Sequence, residues 1–353
     1  MTALTVPARP EEDASLRPLP WQRMAWVTWR QHRTPLVSVA VFLGALTVGM
    51  LLAGRTTHHV FAAAVAACES RNSLACAGLS NTFLGTYGFL SNGFILQGVP
   101  VLIGAFAGAP VLARELETGT FRYAWTQGFG RWRWTLAKLV PLAVMLAAAA
   151  GVFSLVLDWY YQPYFAEDNQ ALGLTGYTPF FPGLFDLRGL GFAAWTLVAF
   201  AIGAMAGMLI RRVVPAIVAT LVAYTALAFA AGLWLRPAYM TPVVSSNPNV
   251  PGSAWVMSQW WTKGGRFAFV GGPPQNLLNQ FCPNGPSGPV GPGGMPKTTG
   301  LAECLTPHGY TQWTSYQPAS RFWAFQWIEA GWLLALSVLL IAATIWLVHR
   351  RAA

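Results

Sequence analysis

Apolar residues gather into six runs along this chain, at 34–53, 94–112, 140–158, 190–210, 213–235 and 326–348. Each is close to the roughly 20 residues an α-helix needs to cross a bilayer. Polar, glycine- and proline-bearing segments separate them. The pattern predicts an all-α polytopic membrane protein whose six transmembrane helices occupy residues 34–348. Residues 1–33 precede them as a tail and 349–353 follow as another. The first 20 residues are polar and proline-rich, without the short apolar core of a cleavable signal peptide, so none is expected.

The connecting segments alternate in charge. Those on the side of both termini (1–33, 113–139, 211–212 and 349–353) hold 14 Lys and Arg. On the other side, 55–93 and 159–189 hold 3, and the long segment 236–324, which crosses largely regardless of charge, holds 5. Both termini are therefore expected in the cytoplasm. The same bias accounts for a net charge of +10 in a chain that is 54% hydrophobic and 10% charged, and no nucleic-acid partner is expected.

The cysteines agree with that topology. Cys68, Cys76, Cys282 and Cys304 all fall in segments placed outside, where disulfides persist. They form two local pairs, Cys68–Cys76 and Cys282–Cys304, although four cysteines allow three connectivities. The outer segments differ in character. "HHVFAAAVAA" in 55–93 reads as a short helix, and the aromatic, turn-rich 159–189 as a cap at the interface. The Gly/Pro-rich 236–324 reads as a disulfide-pinned lid with little regular structure.

Three polar features stand out. In "LPWQRMAWVTWRQHR" (19–33) a helical spacing puts Trp21, Met24, Ala25 and Trp29 on one face, with Arg23 and Arg30 opposite. An amphipathic helix in the inner interface is expected there, compatible with an ordinary topogenic flank. Residues 113–138, "ARELETGTFRYAWTQGFGRWRWTLAK", follow the second run without a break and carry seven charges. Orientation needs only Lys and Arg, so Glu115 and Glu117 ask for another explanation, a short helix parallel to the membrane that docks a soluble partner. The bland alternative is a solvated loop. Glu329, about a turn inside the last run, is a candidate pathway residue, or else an interfacial carboxylate near Asp158.

The block "ARELETGT…AWTQ…RWRWTLAKL" and the "TWRQHR" before the first run resemble the permease subunits of the type-two ABC exporter family, actinobacterial members in particular. The resemblance covers nearly the whole chain. It implies that 113–139 contains a coupling helix seated on a separate ATP-binding subunit, with Arg114, Glu115, Glu117, Gly119, Thr120 and Arg122 forming or bordering that contact. It also implies that Trp21, Arg23, Trp29 and Arg30 rest beside it. Two permeases, identical or homologous, would pair with two ATP-binding subunits in a bacterial plasma membrane. The family usually has short re-entrant helices before its last span, where this chain has the much longer 236–324.

No G-x-x-x-x-G-K-[ST] loop is present, so ATP and magnesium are expected at the partner, and no cofactor on this chain. H-E-x-x-H and G-x-S-x-G are absent too, and adjacent His58 and His59 lack supporting carboxylates for a metal. The chain is not expected to be an enzyme. The pairs Gly104/Gly108 and Gly203/Gly207 permit close helix approach in any membrane bundle. The expected function is export of amphiphilic or hydrophobic compounds (a drug, an antibiotic, a lipid). The competing expectation is a membrane-embedded enzyme or sensor that uses its outer loops without an ATPase.

Overall fold

The computed structural model describes residues 21–70, 73–91, 93–119, 131–165, 178–247, 250–282 and 298–351. Among them, six helices are long and apolar enough to cross a membrane. They are Arg33–Glu69, Gly98–Thr118, Trp132–Phe165, Gly191–Ile210, Val213–Ala238 and Ala319–Arg350, called spans one to six below. Every apolar run falls on one of them. Span two starts later than its run because 94–97 form a turn after Gly93, whose φ of 65° is left-handed.

The first helix differs from expectation. It runs unbroken from Trp21 to Glu69, 49 residues with Pro35 inside. At 1.5 Å per residue that is about 74 Å, more than twice a hydrocarbon core. Residues 21–33 are therefore the first turns of the span-one helix, not a separate interface helix, and "HHVFAAAVAA" forms its last turns. Trp29 and Arg30 are both exposed, and the Arg30 guanidinium lies 5.3 Å from the centre of the Trp26 ring. The side chains of Trp21 and Arg23 lie outside those described.

Span four is the hub, packed against spans two, three, five and six. Its closest seam is with span two, where the two glycine pairs meet each other. Span two passes through a π turn, Gly104–Gly108. A Cβ on Gly104 would sit 2.5 Å from the carbonyl oxygen of Ala199, and one on Gly108 2.6 Å from that of Phe200. Gly203 and Gly207 lie against Gly104 and Ala109 in the same manner. Backbone thus touches backbone, which only glycine allows.

Segment 236–324 is not the irregular lid its composition predicts, and the fold is not all-α. It carries an antiparallel sheet in the order β1-β4-β2-β3, from β1 (Val243–Ser245), β2 (Trp255–Lys263), β3 (Arg266–Val270) and β4 (Tyr310–Gln317). Gly264 and Gly265, both at positive φ, make the two-residue turn from β2 to β3. Trp261, Phe269 and Tyr310 on one face pack under the helices Gln275–Phe281 and Thr298–Leu305. The Cys282–Cys304 disulfide joins these helices. At its base the sheet meets the spans through Trp255, which stacks on Phe180 and meets Phe325 edge-on. The other disulfide, Cys68–Cys76, joins the end of the span-one helix to the helix Ser73–Ser91.

Candidate functional site

Two polar centres flank the apolar bundle, one below the sheet and one at the opposite end. At the opposite end, the span-two helix continues straight through Ala113 to Thr118 and stops at Gly119, whose φ of 72° is left-handed. These residues are thus the last turns of the span, not a separate helix lying along the membrane. Thr120 and Arg122 lie outside the described residues.

The two carboxylates that orientation could not explain have partners within the chain. Glu115 forms an ion pair with Lys138 of span three, which is 3% exposed. The same ammonium lies 4.1 Å from the centre of the Trp134 ring. An ammonium so enclosed needs both a counter-charge and a π-face, and the chain supplies them from two helices. Glu117 accepts a hydrogen bond from the backbone N–H of Val213, the first residue of span five, at 3.1 Å. Arg114, Glu117 and Thr118 remain exposed. Beside them, Leu112, Leu116, Trp134, Met208 and Val348 line a small apolar cleft. This end therefore combines a solvent-facing charged rim with bonds into spans three and five.

The centre below the sheet is a buried ion cluster. Glu329 of span six is 1% exposed and Arg236, at the end of span five, is 3% exposed. They pair at two points, Nε to Oε2 at 3.0 Å and Nη2 to Oε1 at 2.7 Å. Glu329 also accepts from Trp195 Nε1 at 3.0 Å and from Tyr239 Oη at 3.2 Å. Trp332 Nε1 in turn donates to Tyr239 Oη at 2.7 Å. Arg236 makes a second ion pair, with Asp186, and its guanidinium lies over the Phe185 ring. Gln97, just before span two, donates to the other oxygen of Asp186 at 3.3 Å. Burial pushes the Asp186 carboxyl up to about 7, against the pull of Arg236, and the nearby Glu329 carboxylate pushes it the same way.

Glu329 is thus not solvated, and Asp158 pairs with Arg188 at 2.6 Å. The bonds of Glu329 to Trp195 and Arg236 tie span six to spans four and five. Arg236 and Asp186 were not singled out in the sequence. Their signal was an acid inside an apolar helix, which calls for a cation at the same depth. His58 stacks on Trp159 at 4.7 Å and contacts its carbonyl oxygen through Nε2 at 3.0 Å. The described residues contain no cluster of three or more His, Cys, Asp and Glu that could hold a metal.

No curated protein and no solved structure matches the chain. Residues 40–236, spans one to five, match the family described as ABC-2 membrane transporter related. The six apolar helices agree with a multi-pass membrane protein. The chain belongs to the ABC-2 membrane transporter related family, as a membrane-spanning permease subunit of an ABC transporter.

Proposed function

We propose that this permease exports amphiphilic or hydrophobic compounds, driven by ATP hydrolysis on a separate subunit that docks at the end of span two. Two permeases and two ATP-binding subunits would form the working unit, with ATP and magnesium held by the latter. Both termini would face the cytoplasm of a bacterial cell, and the sheet would face outward. The Lys and Arg bias and the grouping of both disulfides near the sheet end support that orientation.

One observation carries the coupling reading. The last turns of span two present Arg114, Glu117 and Thr118 to solvent while bonding inward to Lys138 and to the start of span five. A push on that rim is delivered to three helices at once. Apolar side chains on spans one and five, among them Val41, Leu52, Val218 and Val222, remain exposed for lipid or a second copy to cover.

Charge reversal at the rim is the direct test of docking. Reversing Glu115 would set two ammonium groups against each other beside Trp134, so misfolding would mask any coupling defect. Arg114 is exposed and suits the purpose. With its ATP-binding subunit co-expressed, Arg114→Glu should weaken co-purification and transport-coupled hydrolysis while leaving membrane insertion unchanged. Undiminished coupling in reconstituted vesicles would argue against docking at this rim.

A further inference from the structure

Span five begins without a cap of its own. Its first turn, opening Val213, Val214, Pro215, contains no acidic residue, and the side chain of the preceding Arg212 caps nothing. The first N–H groups of a helix need acceptors, and its positive end favours an anion. Here the acceptor comes from another span, as Glu117 Oε2 lies 3.1 Å from the Val213 nitrogen across 96 residues of sequence.

The surroundings explain what that bond adds. Ala109 and Ala113 of span two pack on Ala216 of span five, with Val213 and Ile217 alongside. Contacts between alanines have little relief, so they hold two helices near one another without fixing how far one has slid. A directional hydrogen bond does fix it. The turn leading into span five is itself constrained. Arg211 has φ 59°, the only positive value outside glycine among the described residues, and its N–H bonds Gly207 at 3.0 Å. Gly207 rests against Ala109 of span two. The end of span two thus borders both sides of the span four–five turn, and Glu117 is the polar latch between them.

We infer that Glu117 is a positioning residue for energy coupling, the joint through which displacement of span two reaches span five. This rests on the coupling reading proposed above. Docking could still move span three through Lys138 if the latch were removed, but span five would no longer follow.

The bond can be broken from either side. Glu117→Ala removes the acceptor. Val213→Pro removes the donor at a position where proline suits a helix start, and Arg212 is already extended (φ −133°, ψ 134°), as a residue before proline must be. Glu117→Gln keeps an acceptor and serves as the rescue. The complex of full-length permease and ATP-binding subunit is placed in nanodiscs and spin-labelled in pairs at exposed sites. Trp234 with Trp327 reports span five against span six, and Val152 with Leu339 reports span three against span six. Nucleotide should shift both distances in the unaltered protein.

In Glu117→Ala and in Val213→Pro, the fraction shifting in the span-five pair should fall about fivefold, the population equivalent of one lost cap. The span-three pair should keep its shift, Glu117→Gln should restore span five, and combining the two lesions should add nothing. A span-five pair that moves normally in both lesions would refute the latch while leaving coupling intact. If neither pair moves in the unaltered protein, the coupling reading itself fails, and the latch with it.

Discussion

Arg236 and Glu329 face each other from spans five and six as a two-point ion pair, at 3.0 and 2.7 Å, almost wholly closed to solvent. Taking two charges out of water costs several kcal/mol each, and their attraction repays this only when the remaining bonds are satisfied. Trp195, Tyr239 and Asp186 satisfy them. Removing one partner strands the other. Glu329→Ala should therefore lower unfolding stability in detergent by about 3–5 kcal/mol, whereas the double change Arg236→Met with Glu329→Leu, measured below pH 7 where Asp186 keeps its proton, should recover much of that loss. Transport should return with stability in the double variant if the pair is a clamp. A stable double variant that cannot transport would instead give Glu329 a place on the pathway.

The same cluster should make stability fall as pH rises. Asp186 lies outside the spans, with its ordinary value of 3.8 pushed up to about 7 by burial. It faces Arg236 and Tyr224 of span five, Glu329 of span six, and Tyr239 just beyond span five. Between those two pH values the folded protein holds a proton that the unfolded chain has released. Raising pH through this window therefore costs stability, and above about 7 the loss is complete. Asp186→Asn cannot ionise and should flatten the profile, as measured by thermal unfolding from pH 4.5 to pH 8 (a range of roughly the cited shift). An identical slope in the variant would assign the effect elsewhere.

The glycine seam makes a contrast that needs no assay of transport. A methyl group at Gly104 or Gly108 would meet the backbone of span four at 2.5 or 2.6 Å, and backbone cannot swing aside. Gly44 and Gly49 of span one have nothing within 4 Å of such a methyl. Gly108→Ala should cost about 1–3 kcal/mol, while Gly44→Ala should be neutral or gain up to about 1 kcal/mol from helix propensity. Equal tolerance at both positions would mean that spans two and four do not meet backbone to backbone.

The spans were legible because twenty apolar residues in a row admit few other readings. The glycine pairs were visible too, at a spacing that puts each on one helix face, but nothing local says that span two's pair meets span four's. Lys138 lay in the very stretch that drew attention to Glu115, 23 residues away, yet pairing across a helix break carries no periodic signal. Arg236 and Glu329 are 93 residues apart and pose the same problem. The sheet was hidden for a different reason. Averaging over 236–324 let the Pro/Gly-rich 283–296 set the composition, and that stretch lies outside the described strands. Alternation in "WVMSQWWTKGGRFAFV" is also blurred by two register shifts, which leave Met257 and Ala268 as extra residues. The Gly264-Gly265 pair between apolar segments was the one hairpin signal that survived.

The two disulfides should differ in what they hold. Cys68–Cys76 spans a separation of 8 residues and Cys282–Cys304 one of 22. A cross-link stabilises chiefly by restricting the unfolded chain, and the longer loop gains more, by about 1 kcal/mol from its length. The longer one also has a specific structural task. It joins the two helices that cover Trp261, Phe269 and Tyr310, and the contacts made by Cys282, Ala302 and Leu305 form the rest of that small core. Replacing Cys282 and Cys304 with Ser should therefore loosen the sheet while the spans hold, since Trp255 and the cluster of Phe180, Phe185, Phe322 and Phe325 bind its base independently. Limited proteolysis at rising temperature should show cleavage within 250–317 well below the temperature at which the spans yield. The Cys68→Ser, Cys76→Ser protein should show no such early step in that segment. Coincident loss of sheet and spans would mean that the two units unfold as one, and that the aromatic cluster at the base transmits stability between them.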